Sequence, residues 1–190
     1  VVVGMGEDRA GGGVVAVYRW IRKTAGERLI ELVAAREAAV VLMHPNPDPD
    51  AMAAAVGVAA LGEQVDTEMT IQYPGQIRHQ ENRAFRTVLE LDIEAIDHVT
   101  ELAAEDVILV DHNEPPLFDG CDVILPIAVV DHHPVDSIRV PFTHLRTYYG
   151  STASVVSEYF RHLHPVPVPA DQPPSPTASH PVLPPFSPPL

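Results

Sequence analysis

The hydrophobic residues of this chain form short continuous runs, and each run ends at polar residues. The runs at 40–43, 107–110 and 127–130 consist almost entirely of Val, Ile, Leu, Ala and Met. They are too short for an amphipathic helix and are typical of parallel strands that are buried on both faces. A further run at 67–73 stops at the turn-forming pair Pro74-Gly75. These patterns predict four strands.

A different spacing of apolar residues predicts helices between the strands. Residues 19–37 and 78–91 place their apolar side chains on one helical face, and residues 51–61 are rich in Ala and Val. Alternation of strands and helices favours an α/β fold with a mostly parallel sheet flanked by helices on both faces. We predict that this domain occupies residues 40–163, after an N-terminal loop and helix at 1–39.

Histidine and acidic residues directly follow three of the predicted strands. The carboxyl ends of parallel strands lie at one edge of a sheet, which is where such sheets place their ligand sites. One polar strand end is ordinary, but three with the same chemistry predict a shared site. The three segments are His44-Pro45-Asn46-Pro47-Asp48-Pro49-Asp50, Asp111-His112-Asn113-Glu114 and Asp131-His132-His133.

The charges of these segments predict that cations bind between them. Asp48, Asp50, Asp111 and Asp131 would repel one another in a common cleft at neutral pH. Imidazole and carboxylate donors without thiolates suit Mn²⁺, Fe²⁺ or Mg²⁺, and the histidines favour Mn²⁺. The number of donors fits two ions better than one. Such a pair can activate water and clamp a phosphoryl group for in-line attack.

The composition limits the classes of function that fit. The formal charge is −14, which disfavours broad electrostatic binding to long nucleic acids. The single cysteine, Cys121, excludes an internal disulfide framework and favours a reducing compartment. No apolar run approaches the ~20 residues that span a bilayer. We therefore expect a cytoplasmic protein with no membrane partner.

The polar segments resemble the motifs of the DHH phosphoesterase superfamily, which is named for the triplet seen here at Asp131-His132-His133. Residues 44–50 resemble its first motif, Val110-Asp111 its second, and residues 131–134 its third. Gly150-Ser151-Thr152-Ala153 resembles a small-residue segment that follows in many members. The resemblance covers roughly residues 40–163 and implies a metal-dependent hydrolase of phosphate esters.

The resemblance also implies roles for the motif residues. His44 and Asp48 would bind one Mn²⁺, Asp50 and His132 a second, and Asp111 would bridge the two, with Mg²⁺ as the alternative metal.

Two further residues, Asp131 and His133, would serve catalysis. Asp131 would orient His132, and His133 would face the phosphate. Ser151 and Thr152 begin a predicted helix. Both suit an N-cap, and the backbone amides at this helix start suit a phosphate oxygen. The residues predicted to contact substrate are Asn46, Asn113, Ser151 and Thr152.

The closest resemblance within the superfamily is to oligoribonucleases, adenosine-bisphosphate phosphatases and cyclic-dinucleotide phosphodiesterases, because residues 74–82 and 131–134 look like that group. It implies a small nucleotide, cyclic dinucleotide or short oligonucleotide as substrate, hence nucleic acid binding, and a homodimer is a further expectation. The alternative is a family II inorganic pyrophosphatase, which residues 111–114 resemble. About 40 residues before the first motif argue against that alternative.

The chain departs from the superfamily after residue 163. Members carry another acidic metal ligand downstream and then a smaller substrate domain, and neither is visible here. Residues 164–190 are rich in proline, which predicts a disordered tail, and Asp171 is the only acidic residue among them. We expect a truncated member of the superfamily. A catalytically impaired fragment that binds nucleotide or metal is therefore an alternative to an active enzyme.

Overall fold

Six parallel strands form one sheet in the computed structural model, which describes residues 23–115, 124–135 and 138–161. The strand order is β3-β2-β1-β4-β5-β6. The strands are β1 (Ala38–Met43), β2 (Glu68–Pro74), β3 (Glu94–Ile96), β4 (Val107–Val110), β5 (Ala128–Asp131) and β6 (Phe142–Leu145). The α-helices within the described residues are α1 (Ala25–Val33), α2 (Pro49–Glu63), α3 (Gln80–Val88) and α4 (Thr152–Arg161). The prediction of an α/β fold with a parallel sheet is confirmed.

The strand order places a crevice beside the centre of the sheet. β1 pairs with β2 on one side and with β4 on the other, so the chain leaves β1 in one direction and returns on the opposite side. Ligands bind at the carboxyl ends of strands on either side of such a switch point. β1 ends at Met43 and β4 ends at Val110, which places His44 and Asp111 at this crevice.

The two faces of the sheet bury different side chains. Val41, Met43, Ile108 and Val110 point to one face, where they join apolar residues of α1, α2 and α4 in the larger core cluster. Val40, Leu42, Val107 and Leu109 point to the other face. This alternation follows from the period of two residues in a strand. Both faces of β1 and β4 are therefore buried, as their continuous apolar sequences predict.

The helices differ from the sequence prediction in their distribution. All four described helices contribute to the larger cluster, α3 through the partly buried Phe85. A 3₁₀ turn at Val99–Glu101 and extended segments carry the apolar residues that cover the second face. The prediction of helices on both faces thus holds, in the described part of the chain, for one face only. Among the described residues between β3 and β4, the only helical turn is the 3₁₀ turn.

Two strands were not predicted from the sequence. β3 and β6 have only three and four residues and lie at the two edges of the sheet. The predicted helix at 19–37 is shorter in the structure and begins at Ala25, because Thr24 and Glu27 form a capping box there. The first 22 residues, and the predicted disordered tail, lie outside the described residues.

None of the described helices is long and apolar enough to cross a bilayer.

Candidate metal centre

The loop after β1 fixes His44 and Asp48 at the start of α2. The Asp48 carboxylate caps that helix and accepts hydrogen bonds from the backbone N–H groups of Asp50 (2.9 Å) and Ala51 (3.0 Å). Pro49 occupies the first turn, where its missing N–H costs nothing. The His44 Nδ1–H donates to the Pro45 carbonyl at 2.9 Å. These local contacts fix His44 at the end of β1 and Asp48 at the start of α2.

Asp111 lies at the centre of the site. It follows β4, is 5% exposed, and has a left-handed backbone with φ of 61°. Asp tolerates this conformation better than most residues do, although a left-handed non-glycine residue still costs about 1–3 kcal/mol. The carboxylate lies 3.6 Å from His44 Nε2 through Oδ2 and 3.6 Å from His132 Nε2 through Oδ1. Each of its oxygens thus faces a different imidazole.

Asp131, at the end of β5, is fully buried and organises the residues that follow it. Its Oδ1 accepts hydrogen bonds from the backbone N–H groups of His132 (2.7 Å) and His133 (3.1 Å) and from His133 Nδ1 (2.8 Å). Its Oδ2 accepts from the Asn113 side chain at 2.7 Å. Asp131 therefore orients the ring of His133, whereas the sequence analysis expected Asp131 to orient the ring of His132.

A backbone carbonyl orients His132 instead. Its Nδ1–H donates to the Tyr149 carbonyl at 3.1 Å. His132 Nε2 then points towards Asp111 and towards Asp50 Oδ2, which is 3.8 Å away. No sequence motif marks Tyr149 for this role, because any residue would supply the same carbonyl.

The start of α4 binds two of the carboxylates. Asp50 accepts hydrogen bonds from the backbone N–H groups of Thr152 and Ala153, each at 2.8 Å. The Thr152 hydroxyl, which is buried, donates to Asp111 Oδ1 at 2.7 Å. Ser151 caps the helix by accepting from the Ser154 N–H at 3.1 Å. Both side chains therefore have partners within the protein, and their contact with a substrate stays a prediction.

The two other predicted substrate residues, Asn46 and Asn113, also have partners within the protein, and the Asn113 side chain donates to Asp131. The Asn46 side chain accepts a hydrogen bond from the Arg78 N–H at 2.6 Å, and Asn46 has a left-handed backbone with φ of 56°. The Asn82 side chain donates to the Pro47 carbonyl at 3.1 Å. Arg78, just before α3, and Asn82, in its first turn, therefore pack against the loop after β1.

The donor atoms of the site fit divalent cations. His44, Asp48 and Asp111 form one group of potential ligands, and Asp111, His132 and His133 form another, with the donor atoms of each group within 4.8 Å of one another. His44 and His132 both donate Nδ1–H to a carbonyl, which leaves the Nε2 lone pair for a metal, as is usual for histidine ligands. The Nε2 atoms of His44 and His132 each lie 3.6 Å from an Asp111 oxygen, which is too long for a hydrogen bond. Asp111 belongs to both groups.

The pKa shifts in the site reflect its concentration of negative charge. The Asp111 carboxylate raises the pKa of His44. Burial raises the pKa of Asp50 in spite of its two amide hydrogen bonds. Burial also opposes ionisation of Asp111, but His44 and the Thr152 hydroxyl outweigh it and lower the pKa of Asp111. A cation between these groups would compensate this concentration of carboxylates.

A cavity of about 460 Å³ opens beside these groups. Its size lies within the usual range for small-molecule sites, roughly 300–1,000 Å³. His112 and Glu114, to which the sequence analysis gave no role, line it; burial lowers the pKa of His112. The lining residues are His44, Asp48, Asp111, His112, Asn113, Glu114, Asp131, His133 and Pro134.

Comparison with known proteins gives one family match. A family model described as the DHH family, N-terminal domain, matches residues 38–177. This range contains all the donor residues described above.

Three relatives match about two-thirds of this chain. The chain is 32% identical over 128 residues to a probable manganese-dependent inorganic pyrophosphatase of Enterococcus faecalis, which covers 64% of this chain and 40% of the relative. It is 30% identical over 124 residues to the manganese-dependent inorganic pyrophosphatase of Methanocaldococcus jannaschii. This match covers 64% of this chain and 38% of that protein. An uncharacterised protein of the same archaeon is 29% identical over 131 residues, covering 65% of this chain and 26% of that protein. The chain therefore spans only about a quarter to two-fifths of the length of these relatives.

A solved structure has the same fold. An exopolyphosphatase-related protein from Bacteroides fragilis matches with a TM-score of 0.53 and 16% identity, over 72% of this chain and 43% of that one. At this identity the match concerns the fold.

Proposed function

This chain belongs to the DHH family, and we propose that it is a manganese-dependent phosphohydrolase of small phosphate compounds. The observation that carries the proposal is the position of Asp111, whose two oxygens each face the Nε2 atom of a different histidine. A carboxylate shared between two groups of donors suits a pair of ions. The names of the relatives, which specify manganese, support the choice of metal.

Two ions would be held by the residues already described. His44 and Asp48 would hold one, Asp50 and His132 the other, and Asp111 both. Mg²⁺ is the alternative, because carboxylates dominate the donors. When bound, such ions supply Lewis acidity that polarises a phosphoryl group and lowers the pKa of water.

The protein's own groups would position the ions and move a proton. Thr152 and the start of α4 hold Asp111 and Asp50 in place through hydrogen bonds of 2.7–2.8 Å. His133 donates its Nδ1–H to Asp131, so its Nε2 is the nitrogen left to act on a substrate. The His133 side chain is 53% exposed and lines the cavity. We assign its imidazolium form the transfer of the Nε2 proton to the leaving oxygen, which returns the ring to neutral imidazole.

The first substrate class that we propose is a small nucleotide, cyclic dinucleotide or short oligonucleotide. The motif segment at 74–82 supports it, because Arg78 and Asn82 pack against the loop after β1 that carries His44 and Asp48. A cavity of about 460 Å³ also has room for more than a phosphate group. Nucleic acid binding, a homodimer and a cytoplasmic location stay predictions.

Inorganic pyrophosphate is the second candidate substrate. It is favoured by the relatives from E. faecalis and M. jannaschii, whose names specify this activity. The acidic Glu114 beside the cavity repels an anion in either case, so metal ions are needed to bind it.

The test is a hydrolysis assay with Mn²⁺ on three substrates: bis-p-nitrophenyl phosphate, a two-nucleotide RNA and pyrophosphate. We expect turnover of at least one, and the preferred substrate distinguishes the two classes. His133→Asn should lower kcat by about 10²–10⁴-fold, the usual contribution of a general acid. The matched control is His98→Asn, which changes an exposed histidine that does not line the cavity.

Absence of turnover would support the alternative of an impaired fragment. If the chain binds Mn²⁺ but hydrolyses none of the three substrates, the proposed activity is wrong and metal binding alone remains. Equal activity of His133→Asn and the wild-type protein would instead contradict only the role assigned to His133.

A further inference from the structure

Helix α2 is apolar on every side, although one of its sides faces solvent. Residues 51–61 contain no charged or polar side chain. A helix that is apolar all round is expected to be buried all round. The inner side of α2 packs on β1 and β2, but Ala53 and Val56 are exposed and Gly57 and Ala60 are only partly buried. The outer side of α2 is therefore an apolar surface that the described part of the chain leaves uncovered.

A groove of about 260 Å³ adjoins this surface, between α2, β2 and the residues that follow α3. Its apolar wall contains large side chains, such as Met69, Ile71 and Leu91, as well as alanines. None of its lining residues belongs to the metal centre. We call it the α2 groove, and its lining residues are Val56, Ala59, Ala60, Glu63, Met69, Ile71, Glu90, Leu91 and Asp92.

The apolar surface continues from the α2 groove to the end of α4. A Cβ atom added at Gly57 would lie 3.7 Å from Phe160 Cε2, so the Phe160 ring lies beside the outer side of α2. Phe160 is 38% exposed and Val56 is 39% exposed. Single exposed apolar side chains are ordinary, but a continuous apolar surface with a polar rim marks a binding site.

The charge of the rim indicates what binds there. Glu63, Glu90 and Asp92 are exposed and make no ion pair among the described residues. They favour an apolar segment that carries positive charges. They disfavour pairing of two copies of the chain through this surface, because acidic rims would then face each other, and the formal charge of −14 acts in the same direction.

Residues 14–22 of this chain have the composition that the surface requires. Their sequence is Val-Val-Ala-Val-Tyr-Arg-Trp-Ile-Arg, in which Arg19 and Arg22 are the only charged residues and the others are apolar or aromatic. Residues 162–190, at the other end of the chain, contain no Lys or Arg. The acidic rim therefore selects the segment before α1 and not the one after α4.

Residues 14–22 are also long enough to reach the surface. The described residues begin at Lys23, directly before α1, whose first turn packs against α4 at Gly26. The last turn of α1 lies near the end of α2, because Thr67, which follows α2, donates its hydroxyl hydrogen bond to the Val33 carbonyl at 3.1 Å. The nine residues of α1 rise about 14 Å, whereas residues 14–22 span about 30 Å when extended.

We propose that residues 14–22 dock on the outer side of α2. Their valines and aromatic rings cover the α2 groove and the apolar surface beside it. Arg19 and Arg22 pair with carboxylates of the rim. The docked segment gives α2 the cover that its all-apolar sequence requires.

Acrylamide quenching of fluorescence tests the docking, because Trp20 is the only tryptophan of the chain. Its quenching constant should be several-fold lower in the folded chain than in the urea-unfolded chain. Val56→Asp places a charge beside the α2 groove at an exposed position and should raise the constant towards the unfolded value. Val88→Asp, which changes an exposed valine of α3 outside the groove, is the matched control and should leave the constant low. Circular dichroism checks that both variants keep the fold.

A second pair of variants tests the charges and leaves the described residues unchanged. Arg19→Glu/Arg22→Glu reverses both positive charges and should raise the quenching constant of Trp20 at least twofold, as expected for the loss of two exposed ion pairs. Arg9→Glu, the same change before the apolar stretch, is the control and should have no effect.

Four results would overturn the proposal. The first is a quenching constant in the folded chain equal to that of the unfolded chain. The second is equal constants for Val56→Asp and Val88→Asp, and the third is equal constants for Arg19→Glu/Arg22→Glu and Arg9→Glu. The fourth is protection of Trp20 only at high protein concentration, which would mean that the segment docks on a second copy of the chain. None of these measurements needs a metal or a substrate, so the proposed function stands or fails separately.

Discussion

Asp111 shows how a single residue can be placed by its backbone. Its φ of 61° turns the chain at the end of β4, so that the carboxylate enters the space between His44 and His132. An extended residue at this position would continue the strand and direct its side chain to a face of the sheet. The unusual dihedral is thus tied to the position of the shared ligand.

Thr152 is the residue whose contribution can be isolated best. Thr152→Val keeps the shape and burial of the side chain but removes the hydroxyl that donates to Asp111 at 2.7 Å. Because Asp111 is then held less firmly, we expect Mn²⁺ affinity to fall by about 10–100-fold, as for other residues that orient metal ligands. Calorimetric titration with Mn²⁺ measures the change.

Thr152→Ser is the control for this prediction, since it retains the hydroxyl. It should bind Mn²⁺ with nearly wild-type affinity. If Val and Ser variants bound Mn²⁺ equally well, Thr152 would be a packing residue and would have no positioning role.

Sequence reasoning placed the donor residues at one edge of the sheet but did not assign their contacts. Because His44, Asp111 and His132 follow the ends of predicted strands, the sequence was enough to predict that they lie together. The contacts of Thr152 with Asp111 and of Asp131 with His133 depend on side-chain rotamers, which the packing of distant segments decides. Residues 41 positions apart, such as Asp111 and Thr152, carry no local signal of their hydrogen bond.

Helix α4 links the metal centre to the core at the scale of elements. Its first residues bind Asp50 and Asp111, and its buried side chains Val155 and Val156 pack in the larger core cluster. Helix α2 lies against it and brings Asp48 and Asp50 to the site from the other side. The distance between α2 and α4 therefore affects the geometry of the donors.

Gly57 sets that distance. A Cβ atom at this position would lie 2.6 Å from Val156 Cγ1, and a valine in a helix has little freedom to move aside. Overpacking costs about 1–3 kcal/mol, and alanine regains about 1 kcal/mol of helix propensity, so Gly57→Ala should lower the free energy of unfolding by about 1 kcal/mol. Urea unfolding measures the difference.

Gly150→Ala is the comparison for this change. The same methyl group would meet nothing within 4 Å there, so the variant should be as stable as the wild-type protein or more stable. A Gly57→Ala variant that matched or exceeded the stability of Gly150→Ala would contradict the close packing of α2 on α4.

The central strands could be predicted from the sequence, whereas the edge strands could not. β1, β4 and β5 are continuous apolar runs because both of their faces are buried. β3 contains the exposed Glu94 and Ala95, and β6 alternates buried Phe142 with exposed Thr143. Edge strands this short are defined by hydrogen bonds to a neighbour, and composition does not reveal them.

At the scale of the whole domain, the buried His144 couples stability to pH. Burial lowers the pKa of His144 from 6.5 to about 4, so the unfolded chain binds a proton there that the folded chain excludes. The stability is complete above pH 6.5 and declines as the pH falls towards 4. From this shift we expect a loss of roughly 3 kcal/mol from His144 alone.

Urea unfolding at pH 7 and pH 4, in a buffer without phosphate or carboxylate, measures this loss. His144→Gln retains a polar side chain that does not titrate, and its stability should fall by roughly 3 kcal/mol less between the two pH values. The comparison removes the contribution of the carboxylates, which both proteins share. Parallel pH profiles would show that His144 titrates normally in the folded protein.

The order of the strands could not be predicted from the sequence, although it decides where the site lies. The apolar pattern predicts parallel strands but does not say which are neighbours. Pairing of β1 with both β2 and β4 creates the crevice in which His44 and Asp111 meet. The histidine and acidic residues after three strands supplied the expectation that these ends converge, and the family match over residues 38–177 agrees with it.

The binding of Mn²⁺ to the wild-type chain and to Asp111→Asn tests the central claim most directly. Asparagine keeps the size of the side chain and tolerates the left-handed backbone, so only the charge and one donor oxygen are lost. Calorimetry should find two ions on the wild-type chain and, on Asp111→Asn, loss of the tightly bound pair with unchanged circular dichroism. Two ions bound with wild-type affinity by Asp111→Asn would contradict a metal centre built around this residue.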